Sequence, residues 1–104
     1  MIPLTHALPD LVADLEAELA RLGRGDLAAQ VRSARLARWT RDEFAGTVYL
    51  HLAPAGAAST GALERLSLYD ELGVNVDTDS RGRPCGIEIL EGARIAERLA
   101  RTGE

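Results

Sequence analysis

The stretch Gly73-Val74-Asn75-Val76-Asp77-Thr78-Asp79-Ser80-Arg81-Gly82-Arg83-Pro84-Cys85-Gly86-Ile87-Glu88-Ile89-Leu90 decides the fold. Val74 and Val76 alternate with Asn75 and Asp77, and Ile87 and Ile89 flank Glu88, which is the two-residue period of a half-buried strand. Between them, Asp79-Ser80-Arg81-Gly82 has turn chemistry: an aspartate that can bond its own backbone and a glycine free to take positive φ. The reading is an antiparallel hairpin with one aliphatic and one polar face.

Upstream, Thr47-Val48-Tyr49-Leu50-His51-Leu52 alternates in the same way. Val48, Leu50 and Leu52 join the aliphatic side, and Thr47, Tyr49 and His51 the polar one. Asp42 to Gly46 reads as a hairpin loop. Leu36 to Arg41 could extend a helix or open a strand, because periodicity does not decide so short a segment. Ala53 to Gly61 is small, uncharged and Pro/Gly-bearing, a loop within one domain. Leu63 to Tyr69 reads as another strand, interrupted near Asp70-Glu71.

The N-terminal third has a different period. Leu8, Leu11, Val12, Leu15, Leu19 and Leu22 recur at three- and four-residue steps, one stripe of an amphipathic helix. Pro9 suits its first turn, Asp10 and Asp14 its positive end, and Arg21 its negative end. Gly23 stops it, so the spacing predicts a helix over Pro9 to Leu22. Asp26 is placed to cap a second helix through Leu27, Ala28 and Val31. A last helix is expected over 92–101, with Ile95 and Leu99 one turn apart.

A chain of 104 residues, 46% hydrophobic and 27% charged, is one ordinary globular domain. At that size it buries roughly 60–70% of the surface its unfolded chain exposes, enough for one core. The net charge of −4 does not draw the whole molecule to nucleic acid or anionic lipid. No apolar run is long enough for a membrane span, and Met1-Ile2-Pro3-Leu4-Thr5-His6 lacks a basic, signal-like start, so a soluble cytoplasmic protein is expected. Cys85 is the single cysteine and cannot form an internal disulfide or a structural zinc site alone. Lysine is absent, which excludes a lysine Schiff base or a phosphate-loop lysine within this chain. No cofactor and no metal are expected.

The second half resembles the short bacterial domains of the DUF2283 family. The closing hairpin carries the likeness: a G-V-x-V-D strand at Gly73–Asp77, a D-x-x-G-R turn at Asp79–Arg83, and G-I-E-I-L at Gly86–Leu90. Asp42-Glu43-Phe44-Ala45-Gly46-Thr47-Val48-Tyr49-Leu50-His51-Leu52 is similar to the family's opening hairpin, with Asp42 at its turn aspartate. Gly46 departs from the pattern, where a second aspartate is usual. The resemblance covers about residues 36–93, assigns Leu36–Arg41 to a strand, and implies a small α+β fold without known chemistry. Such families are sometimes encoded beside toxin-like proteins, which makes an antitoxin-like role a reading by analogy. The expected architecture is one α+β domain over 1–104. It has a helical N-terminal segment (1–32), a curved four-stranded antiparallel sheet of two hairpins and a C-terminal helix. The aliphatic face must lie under helices.

Candidate site residues fall in two groups. Tyr49, His51, Asn75 and Glu88 alternate onto the polar face, where a histidine beside a carboxylate could hold a proton. A solvated or dimer-facing surface accounts for them better, because nothing supplies a pocket or a nucleophile. Arg32, Arg35, Arg38 and Arg41 recur every third residue in a segment, Arg21 to Arg41, whose net charge is +5. On a helix they would form a basic stripe; on a strand Arg35 would point away from Arg38. Pairing with the domain's own acids or a partner's acids accounts for them better than phosphate binding. Asp77, Asp79, Gly82 and Glu88 have a calcium-loop spacing, but Arg81 and Pro84 spoil it and strands flank it, so a charged turn is expected. Cys85 reads as a passive strand residue.

The functional expectation is a non-catalytic protein-interaction module forming a homodimer, with a second copy or another protein favoured over nucleic acid as partner and no membrane. The first alternative is an antitoxin-like or nucleic-acid-binding regulator using Arg21–Arg41. The second is a ligand-binding protein or enzyme on the polar face.

Overall fold

The hairpin that anchors the sequence reading is present in the computed structural model, which describes residues 2–53 and 64–102. In chain order the elements are β1 (Ile2–Pro3), α1 (Leu4–Ala7), α2 (Pro9–Arg21), α3 (Gly25–Ser33), β2 (Arg35–Asp42) and β3 (Thr47–Ala53). After them come β4 (Glu64–Leu68), α4 (Tyr69–Leu72), β5 (Val74–Thr78), β6 (Pro84–Ile89) and α5 (Ala93–Thr102). The sheet runs β1-β2-β3-β6-β5-β4, with every neighbouring pair antiparallel.

The α+β class holds, but the strand count is corrected from four to six. β1 is too short to show a period, and it exists because the chain turns back from Ala34: Ile2 pairs with Leu36, and Leu4 N donates to Ala34 O at 2.9 Å. Pro3 is tolerated there because the strand is at the sheet edge. β4 joins the other edge, beside β5. The expected loop of Ala53–Gly61 lies, beyond Ala53, outside the described residues, and so does Leu63. Tyr69 opens α4 instead of closing β4. Residues 36–41 are strand, which resolves the helix-or-strand alternative.

α2 ends as its sequence implies. Gly23 takes φ +77°, Gly23 N donates to Ala20 O and Arg24 N to Leu19 O, a glycine-terminated stop. Leu22, placed on the apolar stripe by spacing, is exposed there. α3 begins at Gly25, two residues before the Leu27 start that an Asp26 cap implies. Asp26 lies inside its first turn instead of at the cap position, and its carboxylate faces Arg24 at 3.4 Å. Gly92 stays out of α5 and serves as a tight junction. Its N–H donates to Gly46 O at 2.8 Å, and a Cβ there would come within 2.9 Å of the Val48 backbone nitrogen.

The facing assignment holds throughout. Val48, Leu50, Leu52, Val74, Val76, Ile87 and Ile89 are all buried and form one cluster with Leu4, Leu8, Val12, Leu15, Leu19, Leu27, Val31, Ala96 and Leu99. Each large aliphatic chain buried this way contributes roughly 1.5–3 kcal/mol. The helices therefore lie on the aliphatic side of the sheet. Among the described residues no helix is long and apolar enough to cross a membrane.

Candidate functional site

Opposed residues of an antiparallel ladder share a face. The register therefore writes two rows across the polar side. One runs Arg38–His51–Gly86–Asp77–Arg65 and the other Thr40–Tyr49–Glu88–Asn75–Ser67. Tyr49, His51, Asn75 and Glu88 are thus brought together as their alternation predicts. Asp77, which alternates onto the same side as Asn75, joins them, and the register adds a residue that sequence reasoning missed, Arg65.

Asp77 is the centre. It is 3% exposed although charged, and it survives there because three donors reach it. Tyr49 Oη donates to Oδ2 at 2.6 Å, Arg65 Nε to Oδ1 at 2.7 Å and Arg65 Nη2 to Oδ2 at 3.0 Å. Arg65 Nη1 and Asn75 Nδ2 each donate to Glu88 Oε1 at 3.0 Å, so Arg65 bridges both acids. Burial alone would raise the Asp77 carboxyl, but the bonds from Arg65 and Tyr49 outweigh it and hold it below the ordinary aspartate range. Burial and the Asp77 bond push the Tyr49 phenol well above its ordinary value. The Asp77 bond likewise holds the Arg65 guanidinium charged.

Tyr49 reaches Asp77 by crossing Gly86. A Cβ on Gly86 would overlap the Tyr49 hydroxyl and ring. We expect Gly86→Val to swing the phenol outward, costing about 1 kcal/mol, the low end for overpacking because the ring has solvent to move into. The Tyr49 phenol should then ionise closer to its ordinary range in an ultraviolet pH titration. An unchanged titration would show that the ring does not depend on Gly86.

His51 packs its ring against Tyr49, centroids 4.8 Å apart and tilted 59°. Burial and then the Arg38 charge lower its pKa, so the ring is largely neutral at pH 7. No hydrogen bond or ion pair joins it to an acid among the described residues, so the histidine–carboxylate couple is not formed. The calcium spacing also dissolves. Asp77 and Glu88 turn to Arg65, while Asp79 binds its own turn, accepting from Arg81 N at 2.9 Å and from Arg83 N and Nε at 3.0 Å. Cys85 is buried, its thiol directed to Asp77 O at 3.4 Å. Burial, with the nearby Asp77 and Asp79 charges, raises its pKa. It is a poor nucleophile, and the Arg83 beside it in sequence is engaged by Asp79.

The arginine segment divides. Arg32, on α3, meets Glu16 at 3.3 Å. The other three lie on β2, and here one expectation is corrected. The ladder shifts register between Leu36 and Arg38, setting Arg35 opposite Ala53 and Arg38 opposite His51. This bulge brings Arg35 and Arg38 onto the same polar face, where a regular strand would have separated them. Arg41, opposite Val48, falls on the other side. Among the described residues no acid pairs with Arg35, Arg38 or Arg41. No family model, no curated protein and no solved structure matches the chain.

Proposed function

We propose that the protein is a non-catalytic interaction module that works as a homodimer joined through β4. The observation that carries this is the edge itself. β4 is a regularly paired strand of five residues with no neighbour on its outer side among the described residues, whereas the opposite edge, β1, has only two. Such an edge is a ready template for a second strand. A two-fold axis at Leu66 overlaps all five residues, sets Leu66 against Leu66 on the aliphatic side and Arg65 against Ser67 of the second copy on the polar side. The non-catalytic reading rests on the polar face. Asp77 and Glu88 are both engaged by Arg65, His51 has no acid partner among the described residues, and Cys85 is buried. The likeness of residues 36–93 to DUF2283 domains fits a small module of this kind.

Light scattering on the full chain should return twice the 11.2 kDa chain mass. Ser67→Arg sets like charges opposite at two symmetric points, each costing roughly 0.2–1 kcal/mol, and should weaken the dimer, whereas Ser67→Glu should tighten it. A monomer at millimolar concentration, or equal behaviour of the two variants, would remove the β4 interface.

A further inference from the structure

We propose that the β2–β3 half of the open face binds single-stranded nucleic acid, with Tyr49 and His51 as a base-stacking platform and Arg35 and Arg38 on the backbone phosphates. This goes beyond the β4 interface and does not depend on it.

Three observations converge on this half. First, the arginines differ in kind. Arg21, Arg24, Arg32, Arg65 and Arg83 each face an acid of this chain, while Arg35 and Arg38 face none among the described residues. The bulge nonetheless turns both to one side. Second, that side carries two touching rings. Tyr49 is pinned across Gly86 by its bond to Asp77, and His51 lies against it, so the platform is fixed before any ligand arrives. A neutral His51 ring suits stacking. Third, the helices pack on the aliphatic face, so no described helix roofs these rings.

The chemistry selects the ligand. An acidic peptide would satisfy the arginines but leave the rings without use. A duplex keeps its bases stacked on one another and offers no free faces to a flat sheet. An unpaired strand supplies both phosphates and base faces. Across the sheet, Asp77 and Glu88 are occupied by Arg65, so the track runs over β2 and β3 and not over β4 and β5. The net charge of −4 opposes the ligand at long range, so binding is weak and salt-dependent.

The test is fluorescence anisotropy on the full chain with labelled oligo-dT and oligo-rU of about 20 nucleotides. At roughly 50 mM salt the expected dissociation constant is about 10⁻⁶–10⁻⁴ M, weakening as salt rises. The double variant Arg35→Ala/Arg38→Ala should flatten the logarithmic salt slope by about 1.4, two phosphate contacts' worth for a single strand. His51→Gln should weaken binding roughly tenfold with the salt slope kept. Arg94→Ala, an exposed arginine on α5, should change neither. Both β2 arginines are exposed, so the double variant should melt as the parent does. No binding at low salt, an unchanged slope in the double variant, tighter binding of duplex, or equal competition by poly-glutamate would each overturn the proposal.

Discussion

Ile87→Asp should abolish the cooperative melt and leave a chain without stable tertiary structure. Ile87 has no exposed surface and stands between Leu50 of β3 and Val76 of β5, at the middle of the sheet and under the helices. Removing the isoleucine forfeits roughly 1.5–3 kcal/mol of apolar burial. Placing a carboxylate there costs several kcal/mol more, because its ladder neighbours Leu50 and Val76 are aliphatic and offer it no donor. The total is comparable with the whole stability of a domain this size, about 5–15 kcal/mol. Ile87→Val is the matched control. It deletes one methylene for roughly 0.5–1.5 kcal/mol and should melt cooperatively a few degrees lower. Circular dichroism with thermal melting reads both; a parent-like transition for Ile87→Asp would mean that β6 faces the other way.

That result tests the part of the molecule the sequence states most clearly. Val74, Val76, Ile87 and Ile89 repeat every second residue, and a period of two assigns a face without knowing the neighbours. The stripe from Leu8 to Leu19 does the same for α2. Partner choice is harder to read. Tyr49, His51, Asn75 and Glu88 could be placed on one surface, but which of them touch depends on register, a property of two strands. Arg65 illustrates this: it becomes the bridge between Asp77 and Glu88 only because β4 pairs with β5 in one alignment. The bulge at Leu36–Arg38 has no sequence signal, because Ala37 looks like any other strand residue, yet it decides that Arg35 and Arg38 share a face. β1 was invisible for a similar reason: two residues have no period, and its pairing follows from the path of the chain back from α3. Asp26 has the residue type of a cap, but Arg24 takes the cap position and Gly25 the first helical one, which puts Asp26 two positions inside.

Asp77→Asn should lower the melting temperature by roughly 5–20 °C at neutral pH, with the loss shrinking as the pH is lowered. The parent carboxylate accepts three charge-assisted or strong bonds, two from Arg65 and one from Tyr49. An asparagine keeps one oxygen for Tyr49 but presents an NH2 group to a guanidinium. Cutting a fully buried ion pair would cost 3–5 kcal/mol. Arg65 is 46% exposed and rehydrates, so about 1–3 kcal/mol is expected. The pH dependence has a definite sign. The folded Asp77 carboxyl lies below its ordinary value of 3.8, so the unfolded chain takes up the proton first. Its stabilisation is complete above that ordinary value and is lost as the pH falls through the lower folded value. Asp79 shifts in the same direction, so acid weakens both proteins. The difference between the two melting curves isolates Asp77. It should be largest from pH 5 to 7 and shrink steadily below about pH 4. A difference that stays constant down to pH 2 would mean that the lost stability is not that of an ionised Asp77 held by Arg65, and the centre of the polar face would have to be drawn differently.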